Sequence, residues 1–165
     1  MQPALRPWHA VLRLNTDLAL NGLDGLTDEE ASRRVSPRVN SVAFLLAHLT
    51  DTRYYGATLL GRPGANPLSL VLDGARGIDE IKVLPPLAEL RTHWLGAARH
   101  LETALAAASA EALVTPSGQR FPIDDPTLLG TIAFLMQHES YHVGQIGLLR
   151  KQLGHPAMTY ARRPE

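Results

Sequence analysis

Apolar residues recur at helical spacing in four long stretches, and these stripes predict four long α-helices. The first covers residues 6–21, with Trp8, Val11, Leu12, Asn15, Leu18 and Ala19 on one face, Pro7 in the first turn and Gly22 at the end. The second starts near Asn40 or Ser41 and ends at Gly61, with Val42, Leu45, Leu46 and Leu49 as its apolar face. The third covers residues 87–109, striped by Leu87, Leu90, Trp94, Ala97, Ala98, Leu101 and Leu105. The fourth, residues 127–154, is the longest. Asp125 is its predicted N-cap and Pro126 its first residue, where a missing N–H costs nothing. Gly154 closes it, with Arg150 and Lys151 in the last turn, where cations suit the helix dipole. Its stripe of Leu128, Ile132, Leu135, Met136, Ile146, Leu149 and Leu153 is interrupted midway by His138, Glu139, His142 and Gln145.

The connections carry their own signals. Thr27 followed by Glu30 is a capping box, predicting a short helix to about Arg34 that stops before Pro37. Residues 61–86 are rich in Gly and Pro and read as a long connection, with a short strand or turn at 68–72. Residues 114–123 suggest a turn at Pro116, Ser117 and Gly118, as in a hairpin. The tail, residues 155–165, has no helical pattern, and Tyr160, Arg162 and Arg163 are placed to pack back or reach a partner. The whole reads as an all-α four-helix bundle, one domain over residues 1–165, in which the Val42, Trp94 and Leu135 faces meet in one core.

Composition narrows the function. Apolar residues make up 45% of 165, enough for a packed globule. Sixteen basic side chains balance sixteen acidic ones, so no basic field exists to hold nucleic acid. Arg33, Arg34 and Arg38 form a small local cluster, read as solvated surface or as the mouth of a site for an anion. The N-terminal stretch lacks an apolar signal core and no run reaches membrane-spanning length, so the expected location is cytoplasmic. Cysteine is absent, so any metal must be held by His, carboxylate or water, and the chain itself offers no thiol nucleophile.

His138 and His142 stand four apart on one helix face, about 6 Å apart along the axis, where two imidazoles can reach one metal ion. The plainer reading is two polar side chains at the edge of a core, each satisfied by a hydrogen bond; burying a pair of unpartnered imidazoles is costly, which favours the metal. His48 shares a side of the second helix with Leu45 and Tyr55, and gains weight from the need for a third ligand opposite that pair. His9 points away from its stripe, toward surface or a dimer contact; His93 and His100 flank theirs beside Arg91 and Arg99 and are expected to be exposed. The sequence HESYH also fits the H-E-x-x-H pattern, in which Glu139 would be the base of a metallohydrolase. Such an enzyme needs a third ligand downstream; Leu148 occupies the expected position, and neither His155, after the helix-ending glycine, nor the terminal Glu165 is well placed.

The segments SVAFLLAHL around His48 and HESYHVGQI from His138 to Ile146 resemble the DinB-like superfamily of metal-binding four-helix bundles. The H-x-x-x-H-x-G-Q form distinguishes this resemblance from a zincin. Phe44 stands four residues before His48, where the family often has a nearby tryptophan. The resemblance implies a bundle with one long crossover connection, a metal triad of His48, His138 and His142, a divalent ion such as nickel or zinc open to solvent on one side, and a homodimer. It further implies transfer or isomerisation reactions of low-molecular-weight thiols such as bacillithiol and mycothiol.

On these grounds the leading expectation is a metal-dependent thiol S-transferase or related hydrolase, acting on a small thiol and an electrophile. A non-catalytic metal-binding stress-response protein and a metal-free helical interaction protein are the alternatives. Three imidazoles leave coordination positions open, which argues against a closed structural ion. Glu139 points about 100° away from His138 around the helix, toward a supporting role or an interhelical hydrogen bond. Gln145, three residues after His142, is close enough to orient it.

Overall fold

The structure is a computed structural model and describes residues 1–75, 77–81 and 83–163. Four long helices dominate: α1 (Arg6–Leu23), α3 (Val42–Leu59), α5 (Leu87–Ala107) and α7 (Leu128–Gln152). Short helices punctuate the connections: α2 (Asp28–Ser32), α4 (Ser69–Leu72) and α6 (Ala110–Val114). Among the described residues there is no strand, only an isolated antiparallel bridge between Pro116 and Thr127.

The long helices form a ring in which α1 and α3 sit diagonally and each packs between α5 and α7. Contacts along the helices fix their directions. Asn15 meets Ser140 while Gly22 meets Ile146, so α1 and α7 run parallel. His48 meets His138 while Gly56 meets Leu135, so α3 and α7 are antiparallel. Trp94 Nε1 donates to the Thr16 carbonyl at 3.2 Å while His9 faces Glu102, so α1 and α5 are antiparallel too. The parallel pair α3 and α5 is joined by the long crossover, as such a pair must be in a bundle.

The helix ends follow local chemistry. Ser41 caps α3 by accepting from Phe44 N–H, and both bonds of the Thr27–Glu30 capping box are present. Gly154, at φ +92°, closes α7: its N–H and that of His155 bond back to the Lys151 and Arg150 carbonyls.

Several sequence expectations are corrected. Thr127, not Asp125, caps α7, its hydroxyl accepting from Gly130 N–H; Asp125 instead accepts from the Thr127 N–H and hydroxyl and so orients the cap. Gly22 does not end α1, which continues to Leu23. It is a point of close approach, where a β-carbon would stand 2.6 Å from Ile146 Cγ2. Of the two alternatives for residues 68–72, the turn is the one formed, as a single helical turn, while the 114–123 stretch makes no hairpin strands but follows helix α6, capped by Ser109. His93 and His100 are half-buried rather than exposed. Glu165 lies outside the described residues. The tail does pack back: Asn21 Nδ2 donates to the Thr159 and Ala161 carbonyls, and Arg162 pairs with Asp17.

The expected single core is divided. Val42, Trp94, Val143 and Ile146 belong to one apolar cluster, and Ala57, Leu101, Leu135 and Met136 to a second. Buried polar residues lie between: Asn15, Thr50, Arg53 and Glu139. Arg53 Nε and Nη2 donate to the two Glu139 carboxylate oxygens at 2.7 and 3.0 Å, a bidentate pair with both side chains only 1% exposed. The Arg53 guanidinium also lies 3.4 Å above the Trp94 ring centre, and Nη2 reaches the Leu12 carbonyl. One residue of α3 thereby touches all three other long helices.

Candidate metal centre

On α3, His48 and Arg53 are five residues apart and so point about 140° apart around the axis. On α7, His138 and Glu139 diverge by about 100°. With Arg53 and Glu139 locked together inside the bundle, both helices turn their histidines to the same outer edge of their interface. There His138 Nε2 lies 3.3 Å from His48 Nε2 and 3.1 Å from His142 Nε2. A nitrogen of each of the three rings falls within 4.8 Å of the others. The rings meet nearly at right angles, with interplanar angles of 74°, 80° and 86°.

Protons alone do not satisfy this cluster. His142 Nδ1 lies 2.6 Å from Gln145 Oε1, so Nδ1 carries the proton and donates it, leaving Nε2 with a lone pair. A single Nε2–H on His138 can serve only one of its two neighbours. His138 Nδ1 is buried with no hydrogen-bond partner among the described residues. Three inward nitrogens with more lone pairs than protons are the electrostatic complement of a cation. Three neutral nitrogen donors suit a borderline divalent ion of the zinc or nickel type.

The surroundings of His48 and His138 favour their neutral forms. Burial, reinforced by the neighbouring His138 and His142 rings, lowers the His48 pKa from 6.5 to about 4. Burial and then His142 lower His138 as well, opposed by the nearby Glu139 charge. Phe44 stacks parallel to His48 with ring centres 6.1 Å apart, and Phe134 stacks on His138 at 6.3 Å. These apolar rings withhold water from the imidazoles, and desolvation disfavours their protonated form.

The cluster opens on two sides. A cleft of about 510 Å³, beside His48 and His142, is walled by Phe44, Asn40, Leu72 and Ile81, so the crossover connection forms part of it. A smaller one of about 190 Å³, beside His48 and His138, is walled by Tyr55, Phe121 and Phe134. Asp51 lines both. Sequence reasoning missed it, although its position three residues after His48 on a helix was a usable signal. It also missed Arg53, a charge placed among the apolar positions of α3.

The remaining histidines lie elsewhere. His9 faces Glu102 at 3.6 Å, His93 faces Glu89 at 3.1 Å, His100 meets the Arg62 carbonyl at 3.0 Å and His155 meets Glu30 at 3.0 Å. Glu139 faces the bundle interior with both oxygens taken by Arg53, so it is no base for the cleft, and the H-E-x-x-H reading loses its catalytic residue.

A family model described as the DinB superfamily matches residues 12–146, a span that includes all three histidines. The chain belongs to the DinB superfamily. Its fold is similar to that of a conserved protein from Enterococcus faecalis known from a crystal structure, with a TM-score of 0.75, 14% identity, and coverage of 93% of this chain and 98% of the other. No curated protein matches it. The all-helical architecture expected of a DinB-superfamily bundle is the one observed. Among the described residues, no helix is long and apolar enough to cross a membrane.

Proposed function

We propose that this member of the DinB superfamily is a metal-dependent enzyme in which His48, His138 and His142 hold one divalent ion, zinc or nickel, beside a cleft for a small substrate. The observation that carries the reading is the convergence of the three imidazole nitrogens at 3.1 and 3.3 Å next to an open cleft. A bound ion would supply Lewis-acid charge and lower the pKa of a protic ligand.

The chain's own residues prepare the rest. Gln145 fixes the His142 tautomer with its lone pair inward, and Phe44 and Phe134 shield the imidazoles from water. The cleft volume falls in the range of small-molecule sites. The reaction class that fits is transfer of a low-molecular-weight thiol to an electrophile. The S–H bond breaks, an S–C bond forms, and the leaving group departs with the proton, so no oxidant is needed. Support comes from the resemblance and from the absence of cysteine, which requires the reactive sulfur to come from a cosubstrate. The chain is also proposed to act as a homodimer.

Elemental analysis of protein purified without an affinity tag tests the ion, and one equivalent of a divalent metal per chain is expected. Turnover of a small thiol with an alkylating electrophile then tests the chemistry. A stoichiometric ion without turnover of any thiol would favour a non-catalytic metal-binding protein. Sedimentation as a monomer at tens of micromolar would refute the dimer.

A further inference from the structure

Asp51 lines both clefts and is the only carboxylate among their described lining residues. It stands three residues beyond His48 on α3, on the same side of the helix. Yet it is not among the side chains whose ligand atoms converge, so it lies outside the ligand cluster and faces the space beside it. Its orientation is set from the crossover connection. Leu68 N–H donates to Asn66 Oδ1 at 3.0 Å, which turns the Asn66 amide nitrogen outward, and that nitrogen donates to Asp51 Oδ1 at 2.7 Å. This bond occupies one oxygen and leaves Oδ2 for another donor. Partial burial raises the Asp51 pKa, opposed by the Asn66 hydrogen bond, although the residue as a whole keeps surface exposure.

Resting on the three-histidine reading above, we propose that Asp51 is the residue that recognises the substrate's protic group: its free oxygen accepts a hydrogen bond from an O–H, N–H or S–H of the ligand lodged beside His48, His138 and His142, and its charge repels ligands that bring only negative charge. Asn66 is the positioning residue that aims it.

The test uses full-length protein loaded with Co(II), whose visible spectrum reports ligands entering the site. Two probes are titrated into wild type, Asp51→Asn and Asn66→Ala. Azide is an anion with no proton to donate; acetohydroxamic acid can donate one to a carboxylate. In Asp51→Asn, azide should bind about tenfold tighter and acetohydroxamate about tenfold weaker, the scale of one charge-assisted hydrogen bond. Asn66→Ala should lose part of the hydroxamate affinity. Both variants should still take up Co(II) stoichiometrically, because Asp51 is not among the converging ligand atoms. Opposite movement of the two probes is what a merely structural role would not produce. Changes in the same direction, or hydroxamate affinity within twofold of wild type, would overturn the proposal. Failure of wild type itself to take up Co(II) would instead overturn the three-histidine reading.

Discussion

Arg53 and Glu139 hold α3 and α7 together through two hydrogen bonds of 2.7 and 3.0 Å between side chains buried to 1% exposure. The same two helices carry the histidine cluster on their other side. The ion pair and the histidine cluster share one rotation and register of α3 against α7.

That relationship predicts that loss of Glu139 costs stability and does not remove a base from the cleft. Glu139→Ala leaves the Arg53 guanidinium charged and unpaired inside the bundle, so it should cost about 3–5 kcal/mol. Urea denaturation of the metal-free protein measures it. If Glu139 were instead a base at the cleft, the substitution would spare stability and abolish activity.

The proposed ligand set predicts a hierarchy. His142→Ala should abolish stoichiometric binding of zinc or nickel. Gln145→Ala should keep the ion and weaken its affinity by about 10–100-fold, because the His142 tautomer is no longer held. Competition titration with a chromophoric chelator reads both. An unchanged affinity in His142→Ala would place the metal elsewhere.

Close approach of α1 and α7 predicts a steric effect. Gly22→Ala gains helix propensity, yet its methyl meets Ile146 Cγ2. Overpacking should dominate and destabilise by about 1–3 kcal/mol. In an Ile146→Leu background, which lacks the branched methyl, the same substitution should cost less. Thermal unfolding of the four proteins of this cycle gives the coupling directly, and purely additive losses would refute the contact.

Glu30 predicts a pH dependence. The Thr27 backbone N–H, followed by the His155 side chain, lowers its pKa from 4.5 to about 2. A carboxylate depressed on folding stabilises the native state above its unfolded pKa, and that contribution disappears as pH falls through the folded value. The stability difference between wild type and Glu30→Gln should therefore close as pH falls from 4.5 toward 2. Melting temperatures of the two proteins across that window test it; a gap that does not narrow would show that the charge is not the source.

What the sequence determined by itself was local. Helical periodicity located α1, α3, α5 and α7 because each stripe must be buried on one side. The Thr27 capping box was legible because its bonds span only three residues. The closeness of His138 and His142 followed from one turn of helix, and Gln145 from a spacing of three. Even local chemistry was ambiguous where two caps competed, as with Asp125 and Thr127. Tertiary structure decided everything that depends on how one helix is rotated against another. His48 and His138 are 90 residues apart and Arg53 and Glu139 are 86 apart, so no window of periodicity relates them. Among three histidines on apolar helices, periodicity says which side each occupies and not whether those sides meet. The division of the core, the glycine contact at Ile146 and the aim of Asp51 through Asn66 likewise arise from side chains that become neighbours only once the helices have packed. Packing is a property of pairs of surfaces, and a single chain read in order presents those surfaces one at a time.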